Sequence, residues 1–89
     1  MRAKDICETA ARLVGRDRAD QHGDMHENMG NIAALWSTWL GQPVTGHDVA
    51  TMMELLKIAR RKTGHLMNIE NYTDAAGYAG IAGQVSDDV

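Results

Sequence analysis

The chain has 89 residues, a formal net charge of −3 and a single cysteine, Cys7. The lone cysteine excludes an internal disulfide, the acidic balance argues against a general nucleic-acid coat, and no segment is long and apolar enough to cross a membrane. We therefore expect one cytoplasmic domain over residues 1–89, with frayed ends at 1–3 and 86–89. A domain this short has a thin stability margin, so we also expect self-association.

The first predicted helix runs from Lys4 to Val14 and ends at Gly15, because its apolar residues recur at three- and four-residue spacings. The following segment, from Gly15 to Gly23, is polar and carries a glycine at each end. It is predicted to be a nine-residue connection.

The second predicted helix begins after Asp24, a good N-cap residue, and has the most regular apolar pattern in the chain. That pattern predicts a buried face with two tryptophan core anchors, formed by Met25, Met29, Ile32, Trp36, Trp39 and Leu40. Gly41, Pro43 and Gly46 then predict a turn.

The third predicted helix, from Asp48 to Lys62, is expected to be the central one, because it is apolar around most of its circumference. Thr45 and Asp48 resemble a capping box, and Gly64 marks the end. Its expected core face consists of Val49, Met52, Met53, Leu56 and Ala59, widened by Leu55 and Ile58. Lys57 lies among these apolar residues, so its ammonium must either extend to solvent or meet an anion.

The last predicted helix runs from about Tyr72 to Val85 and is capped by Asn68 or Asn71. It holds three glycines, each of which costs roughly 1 kcal/mol relative to alanine. A very close contact with another helix or a flat ligand would offset that cost. The predicted fold is all-α: a compact bundle of three main helices plus a short N-terminal helix, completed by oligomerisation.

Two carboxylate pairs could hold magnesium. Asp24 and Glu27 open one helix and Glu70 and Asp74 open another, so each pair shares a helical face. Mg²⁺ prefers oxygen ligands and retains waters that a nucleotide's phosphates can replace. The alternative is that these acids only complement the helix dipole.

Cations and amides could bind the rest of a nucleotide. Lys57, Arg60 and Arg61 could pair with phosphate oxygens, whereas Asn28 and Asn31 offer amides for a base or sugar. The alternative for Arg60 and Arg61 is a solvated helix end. A zinc site at His22 and His26 is rejected, because the glycine and helix cap between them keep the two imidazoles from sharing a helical face.

The segments HGDMHEN, IAALWSTWLG, DVATMMELLKIARRKTG and NYTDAAGYAGIAG together resemble a family of small phage and prophage proteins of unassigned function. The resemblance covers roughly Ala11 to Gly83. The positions that carry it are His22, Gly23, Asp24, Asn28, Lys57, Arg60, Asn71, Tyr72, Asp74, Gly77 and Tyr78.

More distantly, the layout is similar to the all-α NTP pyrophosphatases called MazG-like and to phage domains associated with nucleotide modification. That resemblance implies magnesium-dependent hydrolysis of nucleoside triphosphates by an oligomer. It implies metal ligands at Asp24, Glu27 and Asp74, with Glu27 and Asp74 catalytic and Lys57 and Arg60 on the phosphates. The chain departs from the family by carrying Asp-x-x-Glu in place of Glu-x-x-Glu, and Asp74 alone on the last helix.

Three hypotheses follow. The first is a MazG-like hydrolase acting in the cytoplasm of a bacterial host. The second is a non-catalytic phage protein that sequesters a nucleotide or a host-defence signal with Asn28, Lys57, Arg60 and Tyr78. The third is an inhibitor that presents acidic residues to a host protein.

Overall fold

The computed structural model describes residues 1–17, 24–62 and 68–88. Within those ranges the chain is all-α and contains no strand. Its four α-helices are α1 (Ala3–Arg12), α2 (Met25–Leu40), α3 (Gly46–Ala59) and α4 (Ile69–Gln84). A π-helical turn, Leu13–Asp17, extends α1, and 3₁₀ turns, Arg60–Lys62 and Val85–Asp88, extend α3 and α4. The predicted set of three main helices and a short N-terminal one is confirmed, and its completion by oligomerisation stays a prediction.

Side-chain caps fix the starts of the three main helices. The Asp24 carboxylate accepts a hydrogen bond from the Glu27 N–H, and the Asn68 carbonyl oxygen accepts one from the Glu70 N–H. At α3 the Thr45 hydroxyl accepts from the Asp48 N–H while the Asp48 carboxylate accepts from the Thr45 N–H, which is the predicted capping box. These bonds satisfy backbone donors that the first turn of a helix leaves without partners.

The turn between α2 and α3 is tightly held. Gly41 ends α2 in the left-handed region, with φ of 67°, which glycine adopts without steric cost. The Ser37 hydroxyl then accepts a hydrogen bond from the Val44 N–H at 2.9 Å and donates one to the Val44 carbonyl at 3.3 Å. The turn is therefore pinned to the last part of α2.

Helix α3 is the central helix, as predicted. It packs most extensively on α4, whose other side is covered by α1, and it also packs on α2. Helices α2 and α4 make little direct contact, which leaves a cleft between them. The buried core joins α2, α3 and the end of α4, and consists of Met25, Met29, Ala33, Val49, Ala50, Ile81, Ala82 and Val85.

The predicted core face of α3 is partly wrong. Val49 is fully buried and Met53 is partly buried, as expected, but Met52, Leu55 and Leu56 are exposed. The inward side instead includes Gly46, Ala50 and Lys57. Because the helix is apolar around most of its circumference, its hydrophobic pattern does not identify the side that faces the core. Small Gly46 and Ala50 occupy the inward face, where they allow close packing.

Only one of the two predicted tryptophan anchors is confirmed. Trp36 is partly buried and packs against the core, whereas Trp39 is 87% exposed. Ala33, one turn before Ser37, is buried although the predicted core face did not include it. A domain of this size has too little interior for every large apolar side chain.

The predicted close approach on α4 is confirmed at one glycine. A Cβ built on Gly77 would lie 3.2 Å from Val14 Cγ2, so α1 and its π-helical turn pass close to α4 there. Gly80 and Gly83 have no atom within 4 Å of such a Cβ. The glycine-rich sequence is therefore used for close packing only in the middle of the helix.

The predicted polar connection overlaps the π-helical turn at its start. Its remainder, residues 18–23, lies outside the described residues, and His22 and Gly23 belong to that remainder. Gly64 also lies outside them. Among the helices that the structure describes, none is long and apolar enough to cross a membrane.

Candidate functional site

The most specific polar contact in the bundle joins α3 to α4. Lys57 Nζ lies 3.0 Å from Asp74 Oδ2, and the two side chains are only 15% and 17% exposed. Of the two alternatives left open for Lys57, solvent or an anion, the structure shows the second, and the anion is a carboxylate of the same chain. Taking two charges largely out of water is costly, so the pair is held only because each charge compensates the other.

Tyr78 lies one turn along α4 from Asp74, on the same helical face. Both side chains line a small cavity, and its opposite wall is formed by Ala10 of α1 and by Leu13 and Val14 of the π-helical turn. Asp74 and Tyr78 therefore lie beside α1 as well as beside α3.

A larger cavity of about 240 Å³ lies in the cleft between α2 and α4. Asn28 and Tyr78 bring polar groups to it, and the other lining side chains are apolar: Met25, Met29, Ile32, Met53 and Ile81. Met53 lies one turn before Lys57 on α3, and Tyr78 lies one turn after Asp74 on α4. Lys57 and Asp74 do not line the cleft themselves, and each lies one helical turn from a side chain that does.

The structure thus brings four of the predicted site residues into one region: Asn28, Lys57, Asp74 and Tyr78. Mostly apolar walls with a few polar groups are typical of small-molecule sites. The four residues come from three helices, so the bundle's packing, not a local motif, positions them.

The remaining predicted site residues lie on the surface. Asn31 and Arg60 are exposed. Asp24 and Glu27 are exposed as well, and the Asp24 carboxylate caps α2 and lies 3.9 Å from His26 Nδ1. These acids nevertheless belong to the turn of α2 whose Met25 and Asn28 line the cleft.

No three acidic, histidine or cysteine side chains within residues 1–17, 24–62 and 68–88 are grouped closely enough to hold a metal ion. The predicted set of Asp24, Glu27 and Asp74 is not gathered in that way by the described part of the chain. Asp74 faces Lys57 instead. Magnesium binding stays a prediction.

Sequence reasoning missed the role of Arg61. Its guanidinium lies over the Tyr72 ring, 4.1 Å from the centroid, so it ties the end of α3 to the first turn of α4. Its Nε atom is buried, and no residue in the described ranges accepts a hydrogen bond from it. Nothing in a run of three basic residues indicates which one turns inward.

Residues 5–86 match a family described as "Domain of unknown function (DUF6378)". The chain belongs to the DUF6378 family. Together with the phage relatives of this chain given below, this result confirms the expected relationship to phage proteins of unassigned function. The more distant likeness to MazG-like enzymes stays a prediction.

Two curated relatives of this DUF6378 chain come from mycobacteriophages. The "Gene 55 protein" of Mycobacterium phage D29 is 39% identical over 84 residues, which are 93% of this chain and 54% of the relative. The "Gene 55 protein" of Mycobacterium phage L5 is 42% identical over 78 residues, which are 85% of this chain and 49% of the relative. The chain therefore spans about half the length of the curated relatives it matches. No solved structure matches it.

Proposed function

We propose that this chain is a phage-type nucleotide-handling protein that binds a nucleotide, or a nucleotide-derived small molecule, in the cleft between α2 and α4. The observation that carries this proposal is the cavity of about 240 Å³ that Asn28 and Tyr78 share, with Lys57 and Asp74 each one helical turn from a side chain that lines it. Its apolar side chains suit a flat base, and an amide can donate and accept hydrogen bonds at a base edge.

Lys57 is the group assigned to the phosphates. Its ammonium has three donors, and the 3.0 Å contact with Asp74 occupies one of them. Asp74 holds the ammonium in place, so binding a phosphate does not require ordering a long flexible side chain. The cleft is slightly smaller than a drug-sized site of roughly 300–1,000 Å³, which favours a base and sugar inside and phosphates outside.

The test is thermal stabilisation by a panel of nucleoside mono-, di- and triphosphates, measured in EDTA. We expect one class to raise the melting temperature in a concentration-dependent way. Asn28→Ala should weaken that shift at least tenfold in apparent affinity, and Tyr78→Phe should weaken it less. Asn31→Ala is the matched control, because Asn31 lies one turn away on the same helix but is exposed and does not line the cleft. No shift with any nucleotide, or equal loss in both asparagine variants, would count against the proposal.

Hydrolysis is the second candidate function. It is favoured by one observation at the start of α2. Asp24 directly precedes Met25 and Glu27 directly precedes Asn28, and both Met25 and Asn28 line the cleft. These carboxylates are the ones that would hold Mg²⁺ near a bound phosphate chain. Asp74 would be a third ligand only if its carboxylate bound Mg²⁺ and Lys57 at the same time.

Hydrolysis is tested by measuring pyrophosphate release from the same nucleotides, with and without Mg²⁺. The hydrolase hypothesis expects release that requires the metal and falls at least a hundredfold in Glu27→Gln. Nucleotide binding that persists in EDTA with no release in Mg²⁺ would leave the protein as a binder only.

A further inference from the structure

Helix α3 carries an outward-facing stripe whose members are spaced by four and three residues in alternation. That spacing places side chains along one face of a helix, as in the seam of a coiled coil. The stripe, which we call the outer seam, consists of Asp48, Met52, Leu55, Ala59 and Lys62, and all five are exposed.

The outer seam is apolar in its middle and charged at its ends. Leu55 is 57% exposed and Met52 is 36% exposed, and the neighbouring Leu56 is 44% exposed. A contiguous exposed apolar patch with polar residues at its rim is typical of an interaction surface. Acidic Asp48 and basic Lys62 stand seven residues before and seven residues after Leu55.

Apolar side chains in the middle of the seam and opposite charges at its two ends favour a second copy of this chain as the binding partner. We propose that two copies of this chain pair α3 against α3 in antiparallel orientation, with the two-fold axis at Leu55. Each Asp48 then faces the Lys62 end of the other copy, Met52 faces the Ala59 region, and Leu55 meets its own equivalent. Such a contact is isologous, because the same patch serves both copies.

The electrostatics of the pairing agree with the packing. The antiparallel arrangement brings the acidic first turn of α3 beside the partner's turn Arg60–Lys62, and it also opposes the two helix dipoles. A parallel pairing would instead place like charges together at both ends. The whole chain has a net charge of −3, so two copies repel each other overall and local pairing of opposite charges lowers that repulsion.

The expected dimer is weak. A standard interface buries about 800 Å² on each partner, and three partly exposed apolar side chains supply only part of that area. We therefore expect dissociation in the micromolar range. Lys57 points to the opposite side of α3, toward Asp74, so the dimer leaves the proposed nucleotide cleft accessible and does not depend on the proposed function.

Sedimentation velocity of the full chain from about 1 to 500 μM tests the interface. We expect a reversible monomer–dimer equilibrium that Leu55→Glu weakens at least tenfold, because it places two carboxylates on the two-fold axis. Leu35→Glu is the matched control, since Leu35 is 72% exposed on α2 and should leave the equilibrium unchanged. Circular dichroism of both variants checks that they keep their helices. A monomer at every concentration, or a dimer lost only in Leu35→Glu, would overturn the proposal.

Cysteine cross-linking locates the axis directly. In a Cys7→Ser background, Leu55→Cys should give a covalent dimer with a short bismaleimide, because residue 55 meets itself. Leu35→Cys in the same background should stay monomeric. Lys62→Glu should weaken the dimer severalfold at low salt and much less at 1 M salt, where surface charges are screened. Cross-linking at residue 35 but not at residue 55 would contradict the two-fold axis.

Discussion

The two sides of α3 both carry apolar residues, but they differ in the size and burial of those side chains. Its inward side combines small Gly46 and Ala50, fully buried Val49 and a lysine neutralised by a carboxylate from α4. Its outward side carries Met52 and Leu55, which are larger and more hydrophobic than Gly46 and Ala50 yet remain exposed. The inward side of this helix is therefore marked by small residues and a charge pair, and not by its largest apolar side chains.

The ion pair gives the largest expected effect on the inward side. Lys57→Met should lower the free energy of unfolding by roughly 3 kcal/mol, because it removes the cation that lies 3.0 Å from the largely buried Asp74 carboxylate. Chemical denaturation measures the change.

A double-mutant cycle isolates the pair. Adding Asp74→Asn to Lys57→Met should restore about 1–2 kcal/mol relative to the sum of the single losses, since the buried negative charge that Lys57 compensated is also removed. Strictly additive losses would indicate that the two side chains do not interact in solution.

Apolar truncation compares the two sides directly. Val49→Ala should cost roughly 2 kcal/mol, because Val49 is fully buried and its neighbours cannot collapse completely into the space. Leu55→Ala removes more atoms from a side chain that is 57% exposed, and should cost less than about 1 kcal/mol in dilute protein. Thermal melts at 1 μM provide the comparison, and a larger loss at Leu55 would reverse our assignment of the two sides.

The same contrast between packed and open positions applies to glycines of α4. Gly80→Ala should raise the free energy of unfolding by roughly 1 kcal/mol, because alanine is the better helix former and no atom lies within 4 Å of the new Cβ. Gly77→Ala should gain less, because its Cβ would lie 3.2 Å from Val14 Cγ2. Denaturant midpoints of the two variants test this ordering, which equal gains would contradict.

The smallest effect belongs to the acidic end of the outer seam. Hydrogen bonds from Thr45, first from its backbone N–H and then from its hydroxyl, lower the pKa of Asp48 below its ordinary value of 3.8. A carboxyl whose pKa is lower in the folded state stabilises the fold above that ordinary value, and the stabilisation is lost as the pH falls through the folded-state pKa. The stability difference between the native chain and Asp48→Asn should therefore be constant above about pH 5 and shrink below pH 4. Melting temperatures at successive pH values measure it, and a difference that grows on acidification would exclude the capping contribution.

Much of the fold could be predicted from local signals. Asp24, Thr45 and Asn68 cap helices because their side-chain oxygens reach the first free N–H groups, which depends only on nearby residues. The regular spacing along α2 located that helix correctly. The orientation of α3 could not be predicted, because its apolar residues surround the axis and only tertiary packing chooses the inward side.

The site was predictable as a set of chemical groups but not as an arrangement. The apolar neighbours of Lys57 indicated that it needs an anion, yet nothing in the sequence identified Asp74 as that anion. Asn28 and Asn31 have the same side chain and lie three residues apart, and only packing shows that one lines the cleft while the other faces solvent. Pairings across helices depend on crossing angles that residue spacing does not encode.

The polar ties at the two ends of α3 have a mechanical consequence for the cleft. The Ser37 hydroxyl anchors the α2–α3 corner at one end, and the Lys57–Asp74 contact anchors α3 to α4 toward the other. These contacts, together with the buried core that joins α2, α3 and the end of α4, set the separation of α2 from α4. The two walls of the cleft would therefore already have the separation that a ligand needs, and a ligand would bind with little reorganisation of the protein.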